Sequence, residues 1–354
     1  MQNNELHPLS SLSKHDLEVS EKLPSQRSAR LDNIKGVLIL LVVIGHIIQY
    51  WPGMTIEWQL CPITQRERVL AWMYSFIYAF HMPAFVFVSG YLTSRKQPLG
   101  EVAVERTFLY ALAQGIGVVL IISLMAIDPT TSHLPWPHYA TVPANWYLLS
   151  LVFWTLALPL LKNCRFPHLG LLVLCGLSLV AFKGMTWVHH FSLTRTVVFL
   201  PFFAAGYWCR ENNWGLTGRK LVWLDSLTLA GLAIAVIRAS QMHMQPLMNG
   251  NLPSRAASML AAFAIIRLFF LLMPDKRCFL TRTGKNSLPV YIGHEMIILF
   301  LLAAFPLFYS THKFAASGMV LVASIALAHP FLNSLLRDIP IRLRKMLYRD
   351  SSLN

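Results

Sequence analysis

Long apolar stretches alternate with short polar segments between residues 34 and 335. Most of them have about the length that an α-helix needs to cross a hydrocarbon core of about 30 Å. Each stretch is bounded by charged residues, proline or glycine, which is typical of helices that end at a membrane surface. The pattern predicts ten spans, near residues 34–50, 69–92, 107–126, 146–161, 168–182, 190–209, 222–238, 256–273, 286–306 and 315–335.

The composition favours the same fold class. Of the 354 residues, 55% are hydrophobic and only 13% are charged, and the mean hydropathy is +0.50. A soluble domain carries about 25% charged residues. We therefore predict an all-α protein, a polytopic bundle of transmembrane helices within the lipid bilayer.

The formal net charge of +14 reads as an orientation signal. With ten spans, 22 of the 30 Lys and Arg residues fall in the two tails and alternate loops on one side of the membrane. The positive-inside rule then places both termini in the cytoplasm and leaves no case for nucleic-acid binding. We expect a disordered cytoplasmic tail over 1–33, a ten-helix domain over 34–335 and a basic cytoplasmic tail over 336–354.

A histidine lies well inside each of the first two predicted spans. An ionisable side chain within a bilayer is costly and marks a functional site by default. His46 follows Lys35 by eleven residues, which places it roughly 16 Å from the cytoplasmic edge. His81 precedes Arg95 by fourteen residues, or roughly 21 Å.

Three more charged or titratable side chains lie in later spans. His294 and Glu295 follow Lys285 by nine and ten residues, a depth of roughly 14–15 Å. Arg267 precedes Pro274 by seven residues, roughly 10 Å deep. The spacing therefore predicts a band of three histidines and a glutamate near mid-membrane, with an arginine beneath it.

Structural roles compete with functional ones for each of these residues. A buried histidine also serves to hydrogen-bond a neighbouring helix, and His81 is placed to cap a kink at Pro83. Glu295 and Arg267 are also suited to a buried ion pair. The five cysteines are scattered and contain no CxxC, so they indicate neither a disulfide framework nor a metal site.

Five short motifs occur in a fixed order. They are RLDNIKG at 30–36 with GH at 45–46, YAFHMPAFVFVSGY at 78–91, NWYL at 145–148, LPFFAAGY at 200–207 and GKNSLPVYIGH at 284–294. This order resembles the acyltransferase-3 family of integral membrane acyltransferases, and is most similar to its fucose 4-O-acetylase-like subgroup. Lys35 and His46 match the family's basic residue, ten intervening positions and histidine.

The resemblance implies a multi-pass protein of the bacterial inner membrane. It implies acetyl-CoA or another acyl-CoA as the donor, and a hydroxyl of a cell-surface or lipid-linked glycan as the acceptor. The sequence departs from the family's RxxR pattern near the third span, because Arg106 matches the first arginine while Leu109 occupies the second position. Arg95, Lys96 and Arg267 are then candidates to share the donor-phosphate role.

Acyl transfer to an alcohol requires a base for the hydroxyl proton and groups that hold the donor. We predict His46 as general base or acyl carrier, with His294 and Glu295 orienting it or relaying the proton. Lys35, Arg95, Arg106 and Arg267 are the predicted phosphate-binding residues. His81 and Trp146 are the predicted substrate-binding residues, and no metal is expected.

Two other classes fit mid-membrane His, Glu and Arg residues. One is a proton-coupled transporter or flippase of a glycolipid or polar solute, in which these residues form a proton relay and substrate site. The other is an assembly or sensing subunit without catalysis. Dependence on acyl-CoA separates the enzyme from both.

Overall fold

The computed structural model describes residues 28–52, 55–56, 59–60, 64–94, 98–127, 145–181, 192–214, 222–240, 247 and 251–347. Arg95 and Lys96, two of the predicted phosphate-binding residues, lie outside the described residues. So do residues 1–27 and 348–354, which belong to the two predicted tails.

The described part of the chain is helical apart from two short antiparallel strands, β1 (Thr55–Ile56) and β2 (Gln59–Leu60). The helices, numbered in chain order, are α1 Ala29–Gln49, α2 Gln65–Leu92, α3 Leu99–Ile127, α4 Trp146–Leu156, α5 Leu158–Lys162, α6 Pro167–Val180, α7 Leu193–Glu211, α8 Val222–Ser240, α9 Leu252–Leu272, α10 Phe279–Lys285, α11 Ser287–Ala304, α12 Pro306–Thr311, α13 Lys313–Ala326 and α14 Pro330–Leu347.

Among the described residues, five helices are long and apolar enough to cross a membrane: α1, α2, α3, α9 and α11. A sixth span results if α13 and α14 are counted together, although the two are bent by 60°. Three further apolar helices, within α4, α6 and α8, are shorter. The protein is therefore a multi-pass helical membrane protein. Ten spans and cytoplasmic termini remain predictions.

Several helix ends differ from the predicted span limits. Helix α1 begins at Ala29, before the predicted start at residue 34. The predicted span 146–161 is divided at Ala157, where α4 ends and the proline-started α5 begins. The predicted span 315–335 is broken by the bend between α13 and α14, and α14 continues beyond residue 336 with basic residues in its last turn.

Helix α2 lies at the centre of the bundle, where it packs against α1, α7, α8 and α9. Its contact with α7 depends on two glycines. A Cβ at Gly90 would lie 2.0 Å from the Phe203 carbonyl oxygen, and a Cβ at Gly206 would lie 2.0 Å from the Phe87 carbonyl oxygen. Because no larger residue fits, the backbones of α2 and α7 approach as closely as small residues allow in membrane helices.

The first turns of α1 are joined to the segment that leads into α11. Asn33 donates to the carbonyl oxygens of Pro274 and Lys276, both at 2.9 Å, and accepts from the Thr281 hydroxyl at 2.5 Å. A Cβ at Gly284 would lie 1.8 Å from the Asp32 carbonyl oxygen, so α10 lies directly against α1. Since α10 continues into α11 after one residue, this joint fixes α11 relative to α1.

Candidate active site

Helices α1 and α11 bring two of the predicted catalytic histidines into contact. His294 Nε2 lies 3.3 Å from His46 Nδ1, and the ring centroids are 4.8 Å apart in an edge-on arrangement. His294 is fully buried, whereas His46 in the last turn of α1 is partly exposed. Of the two imidazoles, His46 is therefore the one that a substrate can reach.

The hydrogen bonds of this pair assign its tautomers. His294 Nδ1 lies 2.9 Å from the carbonyl oxygens of both Val290 and Tyr291. Carbonyl oxygens only accept, so Nδ1 carries the proton and Nε2 of a neutral His294 is an acceptor. His46 Nδ1 faces that acceptor and the Val42 carbonyl oxygen at 2.9 Å, so it also carries a proton. The lone pair of His46 is thereby placed on Nε2.

His81 in α2 makes the same kind of hydrogen bond from Nδ1 to a backbone carbonyl oxygen. Its Nδ1 lies 2.7 Å from the Ile77 carbonyl oxygen, four residues earlier in α2. Its ring is fully buried and contacts Tyr78 edge-on, at 4.6 Å between centroids. The Tyr78 ring also lies 6.4 Å from the His46 ring, so Tyr78 is close to both histidines. His81 is therefore buried close to the histidine pair, and its role in binding a substrate stays a prediction.

Glu295 lies beside the histidine pair and contacts the end of α1. The Tyr50 hydroxyl donates to Glu295 Oε1 at 2.7 Å, and the carboxyl group is buried. Arg267 instead donates to the Thr228 hydroxyl in α8 at 3.3 Å. Within the described residues, which include both side chains, no ion pair joins Glu295 to Arg267.

Trp146 begins α4 in a cluster of aromatic and basic side chains. Its indole stacks on Phe199 at 5.3 Å, and the Arg195 guanidinium lies over the same ring at 5.3 Å. Arg195 is also near enough to Tyr78 and Tyr291 to interact with them electrostatically. Arg195 was not among the predicted site residues, because its position at a predicted span end made it one of the topological charges.

A line of polar and aromatic groups connects the predicted donor-binding arginine Arg106 to the histidines. Arg106 donates to the Thr155 hydroxyl and is close to Tyr147. The Tyr147 hydroxyl lies 2.5 Å from that of Ser89, and its ring lies 5.4 Å from Tyr291. Tyr291 is in turn 6.2 Å from the His294 ring. This line crosses α3, α4 and α11.

The other predicted phosphate-binding residues that the structure describes, Lys35 and Arg267, lie on other helices than Arg106. Lys35 lies 3.8 Å from the Asp32 carboxylate near the start of α1, and Arg267 contacts α8. The structure therefore brings together His46, His294 and Glu295, and leaves Lys35, Arg106 and Arg267 on separate helices. The described residues contain no group of three or more His, Cys, Asp or Glu side chains placed to hold a metal ion.

Comparison with known proteins decides the family. The family model described as an acyltransferase domain, acyltransferase-3, matches residues 28–329, which include every motif named above. The chain belongs to the acyltransferase-3 family. The resemblance on which the sequence analysis relied is therefore confirmed, and this acyltransferase places its histidine pair inside the matched region.

Two curated relatives match a short segment of this acyltransferase. Nodulation protein NolL of Mesorhizobium japonicum is 39% identical over 72 residues, which are 20% of this chain and 16% of that protein. Nodulation protein NolL of Sinorhizobium fredii is 36% identical over 73 residues, 20% of this chain and 17% of that protein. The matched segment thus covers about a sixth of each relative. No solved structure matches the chain significantly.

Proposed function

We propose that this membrane acyltransferase moves an acetyl or other acyl group from acyl-CoA to a hydroxyl of a cell-surface or lipid-linked glycan. The observation that carries the proposal is the His46–His294 pair, in which a buried imidazole nitrogen faces Nδ1 of a reachable imidazole. A neutral histidine with its lone pair on Nε2 is the general base that acyl transfer to an alcohol requires. We place the protein in the bacterial inner membrane and assign the chemistry to residues 34–335.

The reaction begins when His46 Nε2 takes the proton of the acceptor hydroxyl. The oxygen attacks the thioester carbonyl carbon, the carbon–sulfur bond breaks, and the proton passes from the imidazolium to the departing thiolate. The products are a glycan ester and free CoA, so one imidazole acts first as base and then as acid. His294 Nε2 stabilises the imidazolium by accepting the hydrogen bond from His46 Nδ1.

The two substrates would reach His46 from opposite sides of the bundle. CoA phosphates are anionic and cytoplasmic, and Lys35, Arg95, Arg106 and Arg267 belong to the side that the charge pattern assigns to the cytoplasm. The path from Arg106 through Tyr147 and Tyr291 is the route that we propose for the pantetheine arm. Trp146 and His81 would line the acceptor side, where stacked aromatic rings suit a sugar face.

The first test uses membrane vesicles of both orientations that contain the full chain. Acetyl-labelled acetyl-CoA is added to the cytoplasmic face, and label is followed into glycan. We expect transfer with the native protein and with His312→Ala, which removes an exposed histidine that is not part of the pair. We expect no transfer with His46→Ala.

The outcomes separate the functions directly. A His46→Ala protein that is membrane-inserted and still transfers label at the native rate would remove His46 from the mechanism. Failure of the native protein with several acyl-CoA donors, in membranes that hold their native glycans, would instead favour a transporter. An acyl group trapped on His46 before acceptor is added would replace the base with an acyl carrier.

A further inference from the structure

Glu295 is a buried carboxyl group of which only one oxygen is used. Tyr50 donates to Oε1, whereas Oε2 has no hydrogen-bond partner among the described residues. The side chain is 1% exposed. A buried polar atom without a partner is destabilising, and more so when the group is charged, so this oxygen is a candidate contact for a ligand.

The open oxygen belongs to the residue that directly follows His294, the partner of the proposed base. His46 and Tyr50 are four residues apart and lie on one face at the end of α1, about 6 Å apart along the chain axis. His46 contacts His294, and Tyr50 contacts the next residue of α11, Glu295. The proposed base and the Glu295 carboxyl group are therefore linked through adjacent residues of α11 and through two side chains about one turn apart at the end of α1.

A second unsatisfied group lies close to the same tyrosine. The Tyr309 hydroxyl in α12 is buried, has no hydrogen-bond partner among the described residues, and interacts electrostatically with Tyr50. The surroundings of Tyr50 thus offer an acceptor oxygen at Glu295 and a hydroxyl that both donates and accepts at Tyr309. A hydroxyl of the proposed glycan acceptor can satisfy both groups, because it can donate to the carboxyl oxygen and accept from the tyrosine hydroxyl.

We infer that Glu295 Oε2 receives a hydrogen bond from a second hydroxyl of the acyl acceptor, close to the hydroxyl that His46 activates. This inference rests on the proposed function and narrows its acceptor to a polyol, such as a pyranose with a free hydroxyl next to the acylated one. Glu295 is then a specificity-determining residue. Tyr50 is a positioning residue that holds the carboxylate toward the acceptor.

The charge-assisted hydrogen bond supplies the discrimination. A site built around a buried polar group rejects an analogue that lacks the matching hydroxyl, because the group is left unpaired. Hydrogen bonds to charged groups are worth enough to change the acceptor KM by about tenfold or more. Glu295→Gln keeps an oxygen for Tyr50 but presents N–H donors where the acceptor's hydroxyl would donate.

The experiment uses full-length protein in vesicles with acetyl-CoA and a series of octyl pyranosides. Each glycoside is paired with analogues in which one hydroxyl is replaced by hydrogen. For one deoxy analogue, we expect the native protein to show an acceptor KM at least tenfold higher than for the parent glycoside. The KM for acetyl-CoA should be unchanged. In Glu295→Gln, the acceptor KM for the parent glycoside should already be at least tenfold above the native value. The acceptor KM of this variant for the deoxy analogue should be no higher.

Two tyrosine variants complete the design. Tyr50→Phe removes the hydroxyl that holds Glu295, and we expect it to reduce the preference for the parent glycoside over the deoxy analogue. Tyr110→Phe changes a partly buried tyrosine on α3 outside the site, and we expect it to keep the full preference.

The possible results distinguish this inference from the proposed function. An equal preference in native protein and Glu295→Gln, or no preference for any hydroxyl in the native protein, would overturn the inference and leave the acyltransferase intact. No transfer to any glycoside by the native protein, while native glycan is acetylated, would overturn the simple-polyol acceptor. No transfer to either acceptor would overturn the proposed function itself.

Discussion

Removing the acceptor nitrogen of His294 tests how the proposed base is held. His294→Leu keeps a side chain of similar bulk at a fully buried position but deletes the group that accepts from His46 Nδ1. His294→Gln is the matched variant, because its amide oxygen can still accept. Both changes leave His46 in place, so they separate the contribution of the histidine pair from that of the base.

The expected magnitude follows from the two contacts of His46 Nδ1. Its distance to His294 Nε2 is 3.3 Å, longer than the usual 2.9–3.0 Å, whereas the Val42 carbonyl oxygen lies at 2.9 Å. The carbonyl therefore continues to fix the tautomer when His294 is lost. We expect His294→Leu to cost only about 1–2 kcal/mol of transition-state stabilisation, or roughly 5–30-fold in kcat. Loss of tautomer control in a serine protease costs about 10⁴-fold.

The assay is steady-state acetyl transfer in vesicles, with kcat and both KM values measured for each variant. His294→Gln should retain more of the native kcat than His294→Leu, and the KM for acetyl-CoA should remain unchanged in both. A loss as complete as that of His46→Ala would mean that His294 itself is the base or acyl carrier. A native kcat in His294→Leu would mean that the pair has no part in the chemistry.

Three further predictions concern donor binding and stability. Lys35→Met should raise the KM for acetyl-CoA about tenfold or more with little change in the acceptor KM, as expected when a charged phosphate contact is lost. Gly206→Ala should lower the unfolding temperature in detergent by an amount equivalent to about 1–3 kcal/mol, whereas Gly318→Ala, which meets open space, should not lower it. The Arg30 backbone N–H and the Ser28 hydroxyl hold the pKa of the exposed Asp275 carboxyl below its ordinary 3.8. Asp275→Asn should therefore lower the unfolding temperature at pH 7, and the difference from native should vanish as the pH falls below about 3.8.

The helical membrane fold was predictable because the apolar residues of each span all contribute to one signal, the hydropathy of the span. Lipid requires every backbone group to be bonded within the helix, so long apolar runs leave few alternatives. The division at Ala157 and the bend between α13 and α14 were harder to predict, because an apolar run does not indicate where a helix breaks. Their positions depend on packing against neighbouring helices.

The site was predictable in part, through the cost of placing ionisable groups in lipid. That cost identified His46, His294 and Glu295, which the structure brings together from α1 and α11. It gave no signal for Tyr50, because a tyrosine after a span is also expected in an interfacial aromatic belt. Its spacing of four residues from His46 was the available clue, since that spacing places both side chains on one helix face.

Each histidine of the band uses its own helix in the same way. His46, His81 and His294 all direct Nδ1 to the carbonyl oxygen four residues earlier, at 2.7–2.9 Å. A helix in lipid must satisfy polar groups locally, and this contact satisfies one ring nitrogen while it leaves the other as an acceptor. The backbone of its own helix is thus enough to leave such a histidine with its lone pair on Nε2. What distinguishes His46 from the other two is its partial exposure, and that exposure is why we propose His46 as the base.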